Sequence, residues 1–183
     1  MGQGYKAIIL ASQEDNGKEL IRTWLDPHAH GNGYKLMEHS YIGNNFVEAV
    51  EYLISPLGMF YKSRVVWSGD YADNEEGLTE NLYTITYEKD NEEKMSQPPR
   101  HDMSSYRYVV NHTKKLYVDK NIESDRHLNI HPLPLLTAEG NGRGGGDFRG
   151  NDEDLVGTWA RDTLSVEKEE PKGYLELLCA FSE

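Results

Sequence analysis

Asn45-Phe46-Val47-Glu48-Ala49-Val50-Glu51-Tyr52-Leu53-Ile54-Ser55-Pro56 is the stretch that decides the fold class. Phe46, Val47, Val50, Leu53 and Ile54 recur at the 3.6-residue spacing that lines one face of a helix. Asn45 can cap the N-terminus, and Glu48, three residues on, completes a pair of the capping-box type. Ser55-Pro56 stops the run, because the residue before a proline is pushed out of helical backbone. No other segment of the 183 residues carries so clear a helical stripe.

Strand-like segments surround it. Residues 5–11 form a short apolar run that reads as a well-buried N-terminal strand. Residues 34–42 and 62–69 have strand character, and 81–88 alternates in the pattern of a half-buried strand. Residues 106–110 and 115–119 flank Asn111-His112-Thr113-Lys114 as a hairpin. Residues 155–166 and 174–181 complete the set, with Glu169-Glu170-Pro171-Lys172-Gly173 as the turn between them. Residues 16–25 are ambiguous: Leu20, Ile21, Trp24 and Leu25 have helical spacing, but Asp26-Pro27 cuts the segment short. The charged stretch of about 89–104, with Pro98-Pro99, reads as a mobile loop. Helices and strands do not alternate, which argues against a doubly wound parallel sheet. The expected fold is α+β: one domain over 1–183, a mainly antiparallel sheet, and the helix of 45–54 packed on it.

Charge narrows the function classes. The net charge is −12, and residues 70–94 hold nine acids and two bases. Direct nucleic-acid binding is not expected, since neutralising phosphates requires Lys and Arg. An acidic surface suits a basic partner, and Asp73, Glu75, Glu76 and Glu80 are its candidate residues. No apolar span of membrane length and no apolar leader occur, so no membrane contact is expected and a cytoplasmic, intracellular location is. Cys179 is the single cysteine, which precludes an internal disulfide.

The strongest compositional departure is residues 140–150, where six of the seventeen glycines fall. The apolar lead Ile130-His131-Pro132-Leu133-Pro134-Leu135-Leu136 is stiffened by two prolines. Gly140-Asn141-Gly142-Arg143-Gly144-Gly145 matches G-x-G-x-x-G, but no helical stripe follows and no βαβ unit surrounds it. A P-loop is excluded by the missing Gly-Lys-Ser/Thr. What survives is a nest of backbone amides with Arg143 and Arg149 as bidentate anion contacts. Phe148 can anchor the loop by burying its ring. Asn141, Arg143, Asp147 and Arg149 are the candidate ligand or partner contacts, with Trp67 and Asp70 as a stacking surface and a carboxylate.

Function is therefore expected to be non-enzymatic binding through the loop 140–150 and the acidic surface 70–94, without a cofactor. The partner would be a protein, a basic one fitting the charge, or a small anionic ligand. One alternative is an acidic inhibitor, of the phage or bacterial accessory type, that occupies a nucleic-acid-binding partner. Another is a small hydrolase or nucleotide-processing enzyme with His131 and Asp147 as its acid-base pair. His28, His30 and His39 lie near one another in sequence, but zinc would want a fourth ligand, and no metal site is expected.

Overall fold

A computed structural model describes residues 2–12, 20–121, 129–141 and 148–182. In chain order the strands are β1 (Tyr5–Leu10), β2 (Ile21–Leu25), β3 (Ser63–Gly69), β4 (Tyr108–Asn111), β5 (Leu116–Asp119), β6 (Ala138–Glu139), β7 (Thr163–Glu167) and β8 (Leu175–Glu176). The helices are α1 (Leu36–His39), α2 (Asn45–Ile54), α3 (Leu82–Ile85), α4 (Lys89–Glu92) and α5 (Pro132–Leu136). One sheet runs in the order β2-β1-β3-β7-β4-β5-β8, with β6 added against β3. All pairings are antiparallel except β3–β6 and β5–β8. The fold is α+β with a mainly antiparallel sheet. No helix among the described residues is long and apolar enough to cross a membrane.

β1, second from the edge of the sheet, is covered on both faces. Tyr5, Ala7 and Ile9 enter the main core with α2, while Ile8 and Leu10 enter a second cluster with Ile21, Trp24, Val66, Leu82 and Ile85. A strand buried on both faces reads as a continuous apolar run rather than an alternating one, which accounts for Ala7-Ile8-Ile9-Leu10. Across the sheet, β1 pairs with β3 from Tyr5↔Gly69 to Leu10↔Arg64.

α2 lies on the main core through Phe46, Val47, Val50, Leu53 and Ile54, all buried. The cap sits one residue earlier than the sequence pattern predicts. Asn44 Oδ1 accepts from the Phe46 and Val47 amides at 2.9 and 3.3 Å. Asn45 instead donates to the His30 carbonyl at 2.8 Å, tying the helix to the preceding turn.

Four strand expectations change, the first being that of 174–181 only the two residues of β8 are strand. Residues 34–42 contain α1, because Leu36 and His39, three apart, both reach the core. Residues 81–88 contain α3: Asn81 Oδ1 caps the Thr84 amide at 2.9 Å, and Leu82 and Ile85 enter the second cluster. There the demand for two apolar contacts on one side outweighs the alternating pattern. Of 155–166 only β7 is strand; the part before it turns through positive-φ Gly157 and Arg161. The ambiguous 16–25 resolves in its described part as β2. Residues 89–104 begin with α4 and then run along β2, where Trp24 Nε1 donates to the Asn91 carbonyl and Thr23 Oγ1 to that of Lys94.

Candidate functional site

Two features singled out in the sequence meet at one place. β3 leads into the acidic turn at 70–76, and α5 leads through β6 to the glycine-rich segment. β3 and β6 are parallel neighbours, Trp67 opposite Ala138 and Ser68 opposite Glu139. The chain therefore leaves both strands on the same side. Between them lies a cleft of about 710 Å³ lined by Asp73, Asn74, Glu75, Glu76, Glu139, Gly140 and Arg161, among others.

Arg161 organises the cleft. Its guanidinium donates to both Glu139 oxygens, at 2.5 and 3.0 Å, and to both Glu75 oxygens, Oε2 at 3.0 Å. Burial disfavours the charge on Arg161, but the Glu75 and Glu139 hydrogen bonds outweigh it and push its pKa up. Its φ of 68° is unusual for a residue with a side chain. Gly157, also at positive φ, packs so close that a Cβ would meet the Ala138 carbonyl at 2.6 Å. Asn81 holds the acidic turn by donating to the Asp70 and Ala72 carbonyls, each at 3.0 Å.

The acidic residues divide by role. Asp73, Glu76 and Glu80 are exposed. Glu75 is buried and spent on Arg161, so it is a bracing residue and not part of an open acidic surface. Asp70 is bound back onto the N-terminal strand, accepting from the Gly4 amide at 3.0 Å. Trp67 is fully buried and offers no face to a ligand, a correction to its reading as a stacking surface. Its indole N–H meets His39 Nε2 at 3.0 Å, which is the local partner a buried tryptophan requires.

On the glycine-rich segment, Arg143 and Asp147 lie outside the described residues. Asn141 borders it, its amide donating to Gln3 Oε1 at 3.0 Å. Beyond it, Phe148 is buried edge-on against Phe181, ring centroids 5.4 Å apart. Arg149 is exposed next to that anchor.

His131 is not reachable by a substrate. It is fully buried, its Nδ1 accepts from the Leu133 amide at 3.1 Å, and its Nε2 donates to Glu51 at 2.8 Å. Both ring nitrogens are thus committed, and burial lowers its pKa and keeps it neutral. Lys120 shares the same Glu51 oxygen at 2.5 Å and also donates to the Met103 carbonyl. Burial alone would raise the Glu51 pKa, but His131 and Lys120 together hold it below the ordinary range. His131 caps α5 and ties α2 to it.

Two further polar clusters carry no clear mark in the sequence. Lys6 is fully buried on the Ile8 face of β1, its Nζ 3.7 Å from the Tyr87 ring centroid, 4.5 Å from Tyr83 and 4.6 Å from Trp24. It donates to Thr86 Oγ1 at 2.8 Å, and burial lowers its pKa. A lysine inside an apolar run was the one available clue.

The other cluster joins His112, Ser165, Glu167 and Tyr174. Ser165 donates to Glu167 at 2.8 Å, so His112 Nε2, 2.7 Å from Ser165 Oγ, carries the ring proton. Nδ1 then accepts from the Tyr174 hydroxyl at 2.9 Å. A histidine protonated on the nitrogen facing the serine cannot take that serine's proton. This arrangement braces β4 against β7 rather than activating a nucleophile.

Among the described residues no three His, Cys, Asp or Glu side chains are grouped to hold a metal ion. No family model, curated protein or solved structure matches the chain.

Proposed function

We propose that the protein is a non-enzymatic binding protein, and that the cleft between the acidic turn and the stem of the glycine-rich segment receives a basic group from a protein partner. One observation supports this: four carboxylates and one guanidinium line the cleft, and the guanidinium is consumed by Glu75 and Glu139. Asp73 and Glu76 form no ion pair among the described residues and are exposed at the rim. A concave site with excess negative charge concentrates field and speeds the approach of cations. Arg161 already sits between two carboxylates, which is the chemistry a partner's arginine or lysine would find beside it.

The test uses a short arginine- and lysine-rich peptide as the probe. The Asp73→Asn/Glu76→Gln double variant should slow association by about tenfold at low ionic strength, and by less as salt rises. Stopped-flow or surface-based kinetics reads this directly. Equal on-rates for the two proteins at low salt would overturn the proposal. The fold should survive, because neither residue is buried.

A further inference from the structure

We infer a second binding site, for a small ligand carrying a di- or triphosphate group, in the cavity formed where β1, β2, β3 and β7 meet the segment at 59–63. This cavity of about 680 Å³ is lined by Arg22, Lys62 and Arg64, with the hydroxyl-bearing side chains of Ser12, Ser63, Thr113 and Thr163. In a chain of net charge −12, such a concentration of positive charge is a local inversion. None of Arg22, Lys62 and Arg64 forms an ion pair among the described residues. Arg161 also borders the cavity, but its guanidinium is spent on the acidic side.

The single carboxylate in the lining is already neutralised. Asp162 Oδ2 accepts from Asn111 Nδ2 at 2.8 Å and from Lys114 Nζ. Its direct partners are thus Asn111 and Lys114, and none of the three cations pairs with it.

Arg64 is held for a ligand-facing task. Its Nε donates to the Arg161 carbonyl at 3.0 Å and its Nη1 to the Ala11 carbonyl at 3.4 Å. Its Nη2 has no protein partner among the described residues. Burial first, and then the neighbouring Arg161, lower its pKa; Asp162, Glu75 and Glu139 offset this only in part, and a bound anion would add to that offset. Arg22 lies over the Phe60 ring at 5.5 Å and Lys62 over the Tyr61 ring at 5.1 Å, which places their charges without cancelling them. Guanidinium forks match phosphate oxygens in pairs, and the Ser63, Thr113 and Thr163 hydroxyls supply further donors.

A polyphosphate chain suits this better than a nucleic-acid strand. The site is a compact concavity open to solvent on one side, with Arg22, Lys62 and Thr113 exposed at its rim, and not a long basic stripe, and the rest of the molecule repels a polyanion.

Calorimetric titration with inorganic pyrophosphate, ATP and a single-stranded oligonucleotide, each separately, tests the site. One pyrophosphate or one ATP should bind per chain, and either should raise the melting temperature. Tighter binding of ATP than of pyrophosphate assigns the source to a nucleotide; equal binding assigns it to the phosphate chain alone. The Arg22→Gln/Lys62→Asn double variant should weaken binding by about tenfold or more. Asn is chosen because Lys62 has a φ of 58°, which asparagine tolerates. Should that variant lose its fold, Arg22→Gln alone should still weaken binding, since Arg22 is exposed. Absence of binding by pyrophosphate and ATP, unchanged affinity in a folded variant, or tighter binding of the oligonucleotide would each overturn the inference.

Discussion

His39 is a residue whose protonation state follows from its two neighbours. Its Nδ1 donates to the Gly33 carbonyl at 3.1 Å, so Nε2 is free to accept from Trp67. A second proton would replace that acceptor with a donor facing a donor. Burial drives its pKa down to about 4 from the ordinary 6.5. Between those values the unfolded chain binds more protons than the folded one, so stability falls as pH drops. The contribution is complete above about pH 6.5 and is lost on the way to about pH 4, amounting to roughly 3 kcal/mol. Urea midpoints for wild type and His39→Gln at both ends of that range check it. The variant should be weaker at neutral pH yet lose less on acidification. Parallel losses would assign the acid sensitivity to other buried histidines, His131 among them.

At the scale of elements, α2 was legible from its side chains and its cap was not. The stripe Phe46–Val47–Val50–Leu53–Ile54 requires only helical periodicity. Whether Asn44 or Asn45 caps it depends on which side-chain oxygen is available: Asn45 Oδ1 accepts from Asn32 Nδ2 at 2.8 Å, which leaves Asn44 Oδ1 to the helix amides. Buried Glu48 and Glu51 on the same helix also escape the pattern, because their burial depends on what α5 and residues 103–120 bring to them. Leu53→Ala should cost about 2–5 kcal/mol as a cavity in the main core. Asn44→Ala should cost about 1 kcal/mol as a lost cap. Denaturant midpoints for the two variants check the order; a cap loss exceeding the cavity would mean that α2 is held chiefly by its N-terminus.

Across the whole molecule, stability should be graded along the sheet. β1 is buried along its full length and flanked by β2 and β3. β8 is a two-residue edge strand with both residues exposed. Opening costs most where buried contacts are densest. Amides of Ile8 and Val66 should therefore exchange slowest, near the global limit, and those of β8 within the fast class. Equal protection of β1 and β8 in hydrogen-exchange experiments would contradict this gradient. The two proposed sites lie on either side of Arg161, whose backbone carbonyl orients Arg64 while its guanidinium braces the acidic cleft. Opposite charges are thereby kept apart within one small protein.

The sequence by itself determined the fold class, the well-buried N-terminal strand, the amphipathic helix and the hairpin of β4 and β5, because each is recorded in the spacing of apolar residues along a short stretch. It also located the acidic turn and the glycine-rich segment, since composition is local. Tertiary structure alone decided that residues 34–42 and 81–88 turn helical, because the apolar contacts available to Leu36, His39, Leu82 and Ile85 lie on other elements. It alone converted Trp67 and His131 from candidate site residues into buried braces, for their partners His39 and Glu51 stand 28 and 80 residues away. The pairing of Arg161 with Glu75 and Glu139, and the gathering of Arg22, Lys62 and Arg64, rest on the same cause. Charge placement in space depends on strand order, and strand order is set by the packing of the whole sheet.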